Sequence, residues 1–389
     1  MPHMDIQYGN NANNGLTPQT PVQTIANAYT KLSATGTMNA NIIVIMGTYT
    51  ENNYWQSAGT TGNNYTDANY NKPATLTGIY EGVNYHSALS FIQNGNNGTN
   101  NGKFLSADTV IEYMTLNGNN GQLLFYLQGR SMTMGDGLTM NNYPNINMAG
   151  GTTGYITTAT TPDFHIIGGY FNYNNNNSTT PIPYNNSTIT IKSGVYARVI
   201  AGNRNEVANN TSGNVLGSAS NPFNVNVIID IKRSTKQAQY GFDVNLLVGG
   251  QTDGSIYTNN TLDVRNGNVG RILGGSIGNT RAIAGFPENS FFGSSAIKIS
   301  GGTIQELYGG SLGRNQSNIY FYGTIDINIS GGVVSTNLYG AGAGGVTGYS
   351  DSSTDTYKSL GQPYGAEVNI NMTGGTVNGN IYGAGYRLF

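Results

Sequence analysis

Three stretches of the C-terminal third decide the fold: Ile297-Lys-Ile-Ser-Gly-Gly-Thr-Ile-Gln-Glu-Leu-Tyr-Gly-Gly310, Ile327-Asn-Ile-Ser-Gly-Gly-Val-Val-Ser-Thr-Asn-Leu-Tyr-Gly340 and Ile370-Asn-Met-Thr-Gly-Gly-Thr-Val-Asn-Gly-Asn-Ile-Tyr-Gly383. Each is an alternating strand, a Gly-Gly corner, a second short strand and a Tyr-Gly corner. A unit this small cannot bury an apolar face alone and must stack on its neighbours, which makes the chain a solenoid. Upstream, Ile189 to Gly202 and Leu262 to Gly275 repeat the pattern, and Val227 to Gly250 is a divergent copy. From Gly275 to Gly310 is 35 residues, from Gly310 to Gly340 is 30 and from Gly340 to Gly383 is 43. The strands keep their length while one connection varies, as expected where loops project from one side of a stack.

Outside the repeat, Thr20-Pro21-Val22-Gln23 has the form of a helix start: a Thr cap, Pro at the first helical position and Gln three residues after the cap. Ile25, Ala28, Tyr29 and Leu32 follow at helical spacing, so an amphipathic helix is expected over Thr20 to Leu32. Ile42 to Tyr49 reads as a buried strand and a turn. A helix there would close the first rung, which otherwise exposes unpaired backbone. Between Glu51 and Tyr184, short strands are expected at Ile79–Tyr80, Ser90 to Gln93, Thr109 to Leu116, Gln122 to Gln128 and Phe164 to Phe171, separated by Asn- and Gly-rich loops. The organisation is thus one continuous solenoid: residues 1–50 a cap helix and first strand, 51–186 irregular turns with long loops, 187–389 regular repeats.

Composition agrees with an all-β solenoid and narrows the function. Only 9% of residues are charged, against roughly a quarter in ordinary domains, while 37% are hydrophobic and 27 are Tyr. The net charge is −2 with no Lys/Arg run, which argues against nucleic acid as a partner. No stretch of 18 apolar residues occurs, so no membrane insertion through a helix is expected. The start carries no signal-peptide pattern. Zero Cys excludes disulfides and thiolate metal sites. A Tyr-, Asn-, Gly- and Thr-rich chain without Cys fits an extracellular or cell-surface protein of a bacterium or phage.

Two other folds share parts of this pattern. A kelch-type propeller has an apolar-Tyr-Gly-Gly motif, but normally a Trp in every blade, and this chain has only Trp55. A β-sandwich would show hairpin turns between longer strands. The stretch Gly15-Leu-Thr-Pro-Gln-Thr-Pro-Val-Gln-Thr-Ile-Ala-Asn-Ala-Tyr29, followed by Ile43-Val-Ile-Met-Gly-Thr-Tyr49, resembles the N-terminal cap of right-handed parallel β-helix proteins of the pectin-lyase-like type. The Ile-x-Ile-Ser-Gly-Gly-x-Ile-x-x-x-Tyr-Gly-Gly units resemble repeats of adhesin-like bacterial surface proteins. The resemblance implies a right-handed parallel β-helix. Polysaccharide lyases of that type use Ca²⁺-binding carboxylates and a basic Arg or Lys, and neither motif here is specific for that activity.

Candidate chemistry is sparse. The 19 acidic residues are scattered singly, so no carboxylate pair of the kind polysaccharide cleavage requires can be read off. Asp243, Asp253 and Asp263 stand ten residues apart and would converge only across neighbouring rungs; Asp351 and Asp355 sit in a Ser/Thr-rich insertion. His3, His86 and His165 have no zinc-site spacing. No catalytic residue, cofactor or metal is therefore assigned. Four arginines, Arg204, Arg281, Arg314 and Arg387, each follow a second corner by a few residues. Aligned on one side, they would suit the carboxylates or sulfates of an acidic glycan. Tyr308, Tyr339 and Tyr382 share the place just before that corner. They form either a solvent-facing ladder for sugar rings or inter-rung packing. The Asn-rich strands suit amide ladders. The functional expectation is a structural, adhesive module that binds a glycan or host-surface ligand. A polysaccharide lyase or hydrolase, and a subunit that self-associates end to end, are the alternatives.

Overall fold

The computed structural model describes residues 1–51, 71–91, 102–118, 123–141, 164–169, 186–204, 215–232, 241–252, 254–278, 289–313, 319–344, 367–383 and 386–387. The protein is all-β. Its strands form a 21-stranded sheet, two four-stranded sheets and one hairpin. Only the hairpin, Ile79–Tyr80 against Val83–Asn84, is antiparallel among the described pairings. A long parallel ladder of short strands is consistent with a β-solenoid. Among the described residues no helix is long and apolar enough to cross a membrane.

Two ladders build the stack. The first runs Ile42–Met46, Ala74–Thr77, Thr109–Glu112, Met132–Met134, Asn186–Ile191, Asn224–Asp230, Ser255–Asn266, Asn289–Ile299, Ile319–Val334 and Glu367–Val377. Its register aligns Ile43, Leu76, Ile111, Met134, Ile191, Ile229, Val264, Ile299, Ile329 and Met372 in one column. All but Met372 are buried in one continuous core. The second ladder runs from Gly102–Phe104 through Leu123–Tyr126, Phe164–Ile167, Tyr196–Ile200, Val244–Val248, Asn268–Leu273, Thr303–Tyr308 and Leu338–Tyr339 to Ile381–Tyr382. Phe125, Ile166, Val199, Leu247, Ile272, Leu307 and Leu338 line its inner side and join the same core. The alternating pattern read from the sequence is therefore the burial pattern of the strands: one apolar column per ladder, repeated at the rung spacing.

The Gly-Gly corner joins the two ladders and is required twice over. Gly302, Gly332 and Gly375 have φ of 77°, 76° and 77°, a region L side chains adopt at a cost. A Cβ on Gly302 would also lie 2.5 Å from the Gly267 carbonyl oxygen of the rung before. Length varies around these corners. Ile304 pairs with Val334, 30 residues on, but Leu307 pairs with Leu338, 31 residues on. The extra residue is absorbed within Ser335–Asn337 and the apolar columns resume in register.

The N-terminal helix differs from the expectation. It spans Ile25–Thr30 and its cap is Thr24, which accepts from the Asn27 N–H. The expected Thr20–Leu32 helix does not form because Val22 is already extended. It bridges Met4, its N–H donates to the His3 carbonyl and its own carbonyl accepts from Asp5. Thr20 instead closes a loop, its hydroxyl donating to Asn14. Ile25, Ala28 and Tyr29 still bury in the main core. Strands occur at each of the other expected places up to residue 171 within the described residues: Ala88–Phe91, Thr109–Glu112, Thr115–Gly118, Leu123–Tyr126 and Phe164–Ile167.

Candidate functional surface

The tyrosine column is a packing device. Leu307 and Leu338 point into the core, so Tyr308 and Tyr339 point to the other face of their strands. That face is not open. After the corner the chain folds back as a second sheet, Ile277–Gly278, Leu312–Gly313, Ala343–Gly344 and Tyr386–Arg387. Ile277 and Leu312 cover a second apolar cluster with Leu124, Tyr126, Ile167, Ile200, Val248, Leu273, Tyr308 and Tyr339. Tyr308 and Tyr339 are 3% and 4% exposed, and Tyr382 is 42% exposed. The rings stack at 4.7 Å between Tyr308 and Tyr339 and at 5.0 Å between Tyr339 and Tyr382. Stacked on both faces and covered at the side, Tyr339 has no ring surface for a sugar. Tyr382 is the last ring of this column among the described residues.

The arginines do not form one column where they can be placed. Arg204 bridges to Thr252, and Thr252 to Ile277, so its register continues through Ile277, Leu312, Ala343 and Tyr386. Arg387 lies one position further on, beside Gly344. Arg204 is buried, and its Nη1 lies 3.4 Å from Nδ1 of the buried His165. Arg281 and Arg314 lie outside the described residues. A different arginine, Arg271, sits on the outward row, paired with Glu306 and lying over the Tyr308 ring at 5.5 Å. The Tyr308 hydroxyl donates to the same carboxylate at 2.8 Å.

An aromatic ladder that does reach the surface lies on the other long face. Tyr257, Phe292 and Tyr322 pair in register. Their neighbours Ile256, Phe291 and Phe321 are buried, so these three rings point outward, and each is partly exposed. Ring centroids are 4.5 Å apart for Tyr257 and Phe292, and 5.1 Å for Phe292 and Tyr322, with interplanar angles of 15° and 8°. Two residues along each strand runs a polar column. Asn224 donates through Nδ2 to Asn186 at 3.0 Å and accepts from the Asn259 N–H at 2.8 Å. Asn259 accepts from the Ser294 N–H and hydroxyl at 3.1 and 3.0 Å. The result is a strip of aromatic edges beside amides and hydroxyls, without a charge among the residues that build it. Such a strip offers what a neutral sugar needs: apolar surface for its C–H face and uncharged donors and acceptors for its hydroxyls. The strip carried a signal in the sequence, since Tyr257, Phe292 and Tyr322 each stand five residues before Leu262, Ile297 and Ile327.

Glu112 and Asp136 are carboxylates close enough to influence each other. Glu112 and Lys192 share a column with Gly135, where Gly135 makes room for the Glu112 side chain. Asp136, on the same corner, lies 4.0 Å from the Lys192 ammonium. Burial pushes the Glu112 carboxyl up, and the Asp136 charge adds to the shift; Lys192 and a hydrogen bond with Thr77 oppose it. Tyr113 beside it, at φ of 50°, is also raised, first by burial and then by Asp136 and Glu112. The Asp243–Asp263 series does not make such a site. Asp243 is buried and accepts from the N–H and side-chain amide of Asn268, and Asp263 pairs with Arg265 at 2.8 Å. Asp253, Asp351 and Asp355 lie outside the described residues. His3 is buried against the Tyr80 ring. Among the described residues no three His, Cys, Asp or Glu side chains gather to hold a metal. No protein-family model, no curated protein and no solved structure matches the chain.

Proposed function

We propose that this is an extracellular, adhesive β-helix module of a bacterial or phage surface protein, and that it binds neutral glycans along its outward aromatic strip. The fold in this reading is a right-handed parallel β-helix of the pectin-lyase-like type, with the Ile25–Thr30 helix helping to close its first rung. The observation that carries the reading is the Tyr257, Phe292 and Tyr322 ladder beside the Asn224, Asn259 and Ser294 column. Such large rings are usually buried; three held in register on an outer face, next to uncharged hydrogen-bonding groups, suit a repetitive ligand. The buried tyrosine column and Arg204 do not support the opposite edge as the groove.

Glycan-array binding tests this. Phe292→Ala is expected to weaken neutral-glycan binding at least about tenfold, the effect of removing one stacked ring from a contact surface. Acidic-glycan binding that survives Phe292→Ala but is lost in Arg281→Ala with Arg314→Ala would move the site to the arginine edge. Binding indifferent to both sets rejects the adhesive reading. Polysaccharide cleavage is the second reading, favoured by the raised Glu112 beside Asp136 and Lys192. Release of new reducing ends, lost in Glu112→Gln, would support it.

A further inference from the structure

The aromatic strip has a period that a ligand must match. The Tyr257 and Phe292 ring centroids are 4.5 Å apart and those of Phe292 and Tyr322 5.1 Å apart, at interplanar angles of 15° and 8°. Rings stacked in this way cover one another's faces and turn their rims outward, so each rung contributes one ridge. Asn259, Ser294 and Thr324 pair in register two positions further along the same strands, about 7 Å away. No side chain stands up between the two columns: Thr258 is buried there, and the next two rungs have Gly293 and Gly323. The ladder also alternates, since Tyr257 and Tyr322 end in a hydroxyl and Phe292 between them does not.

We infer that the ligand of this strip is an extended β-1,4-linked chain of neutral hexoses lying along the stacking direction, one sugar per rung; the inference rests on the glycan-binding reading above. Direction follows from the columns. A chain laid along a strand would meet one ring. A chain laid across the rungs meets all three rings and keeps the amide and hydroxyl column at its side throughout. Linkage follows from the spacing. A β-1,4 link between glucose-like sugars joins two equatorial bonds, so the chain extends as a flat ribbon that advances by about one rung spacing per sugar. An α-1,4 link includes an axial bond and curls the chain away from a straight row of ridges. In the β-1,4 ribbon each sugar is turned over relative to the one before, so every second sugar offers the same edge. The Tyr, Phe, Tyr alternation has that two-sugar period, with hydroxyls at Tyr257 and Tyr322 for one edge and the apolar Phe292 for the other. The ring rims carry the positive end of the aromatic quadrupole, which suits ring and bridging oxygens that lie next to sugar C–H groups.

Calorimetric titration with β-1,4-linked glucose and mannose oligomers of increasing length tests this. Affinity should rise with each added sugar until the row of rings is spanned, and change little beyond. The β-1,4-linked glucose tetramer should bind at least about tenfold tighter than the α-1,4- or β-1,3-linked tetramer of the same sugar. The double variant Tyr257→Phe with Tyr322→Phe keeps the rings and removes only the hydroxyls. It should weaken binding of the β-1,4 tetramer about fivefold, the worth of a hydrogen bond made at the surface, and circular dichroism checks that it folds as the wild type does. Neutral-glycan binding that ignores linkage, or that is complete with a disaccharide, overturns this inference and leaves the adhesive reading standing. So does a folded double variant that binds the tetramer like the wild type. No binding of any neutral glycan on the array removes both.

Discussion

At the scale of single residues, side chains on this stack acquire their properties from the rung above and the rung below. Glu112 shows this. Its carboxyl is raised because burial disfavours the anion and Asp136 adds to the cost. A native carboxyl raised above its ordinary 4.5 holds its proton to higher pH than in the unfolded chain. The native state then binds more protons through that window, and stability falls as pH rises through it. Glu112→Gln is thus expected to melt with the wild type below about pH 4, where both side chains are neutral, and above it at pH 7. Thermal melts at the two pH values check this; a Gln variant less stable at pH 7 would show that the charged form is favoured. The neighbourhood was not legible in the sequence. Glu112, Asp136 and Lys192 are separated by 24 and 56 residues, and only the register between irregular rungs brings them to one corner.

Elements follow from pattern more directly. The alignment of Ile297 with Ile327 and Ile370 was written in the repeat, and the strands pair in that register. Alternation also told which way Tyr308 and Tyr339 point, once Leu307 and Leu338 are inward. It could not tell what lies against them. The covering sheet is made of two-residue strands such as Ile277–Gly278 and Leu312–Gly313, too short to leave a periodic signal. The helix boundary failed for a related reason: the local signature at Thr20 was overruled by the pairing of Val22 with the first strand, a contact that spacing alone does not show. The outward ladder lies outside the repeat motif, since Phe292 and Tyr322 precede Ile297 and Ile327 by five residues. Inward and outward rings of one strand should behave differently. Phe321, stacked on Phe291 at 4.3 Å in the core, should cost about 3–5 kcal/mol as Phe321→Ala. Phe292→Ala, on the outer face of the neighbouring strand, should cost no more than about 1–2 kcal/mol, an aromatic pair and part of an apolar surface. Denaturant unfolding of the two variants measures the contrast; equal losses would mean that the outer ladder is not the surface feature described.

The whole molecule is a stack in which each rung touches only its neighbours, so its stability is close to a sum of rung and interface contributions. The low charge and absent Cys were legible as a chain held mainly by packing and backbone pairing, without disulfides. The varying connection was legible too: 35 residues separate Val264 from Ile299, 30 separate Ile299 from Ile329 and 43 separate Ile329 from Met372 in the observed register. What the sequence did not disclose is the bridge from Val22 to Met4 beside the first strand.

The parallel stacking of the rungs gives the molecule a mechanical grain. Hydrogen bonds between parallel rungs lie along the stacking direction, so tension along it opens them one rung at a time instead of shearing the whole ladder at once. Peeling should therefore proceed turn by turn through the regular region. Each released turn frees 30 to 43 residues of the regular region, or about 100–150 Å of extended chain. Force spectroscopy on single molecules would then record a staircase whose step lengths spell out the spacing of the repeats.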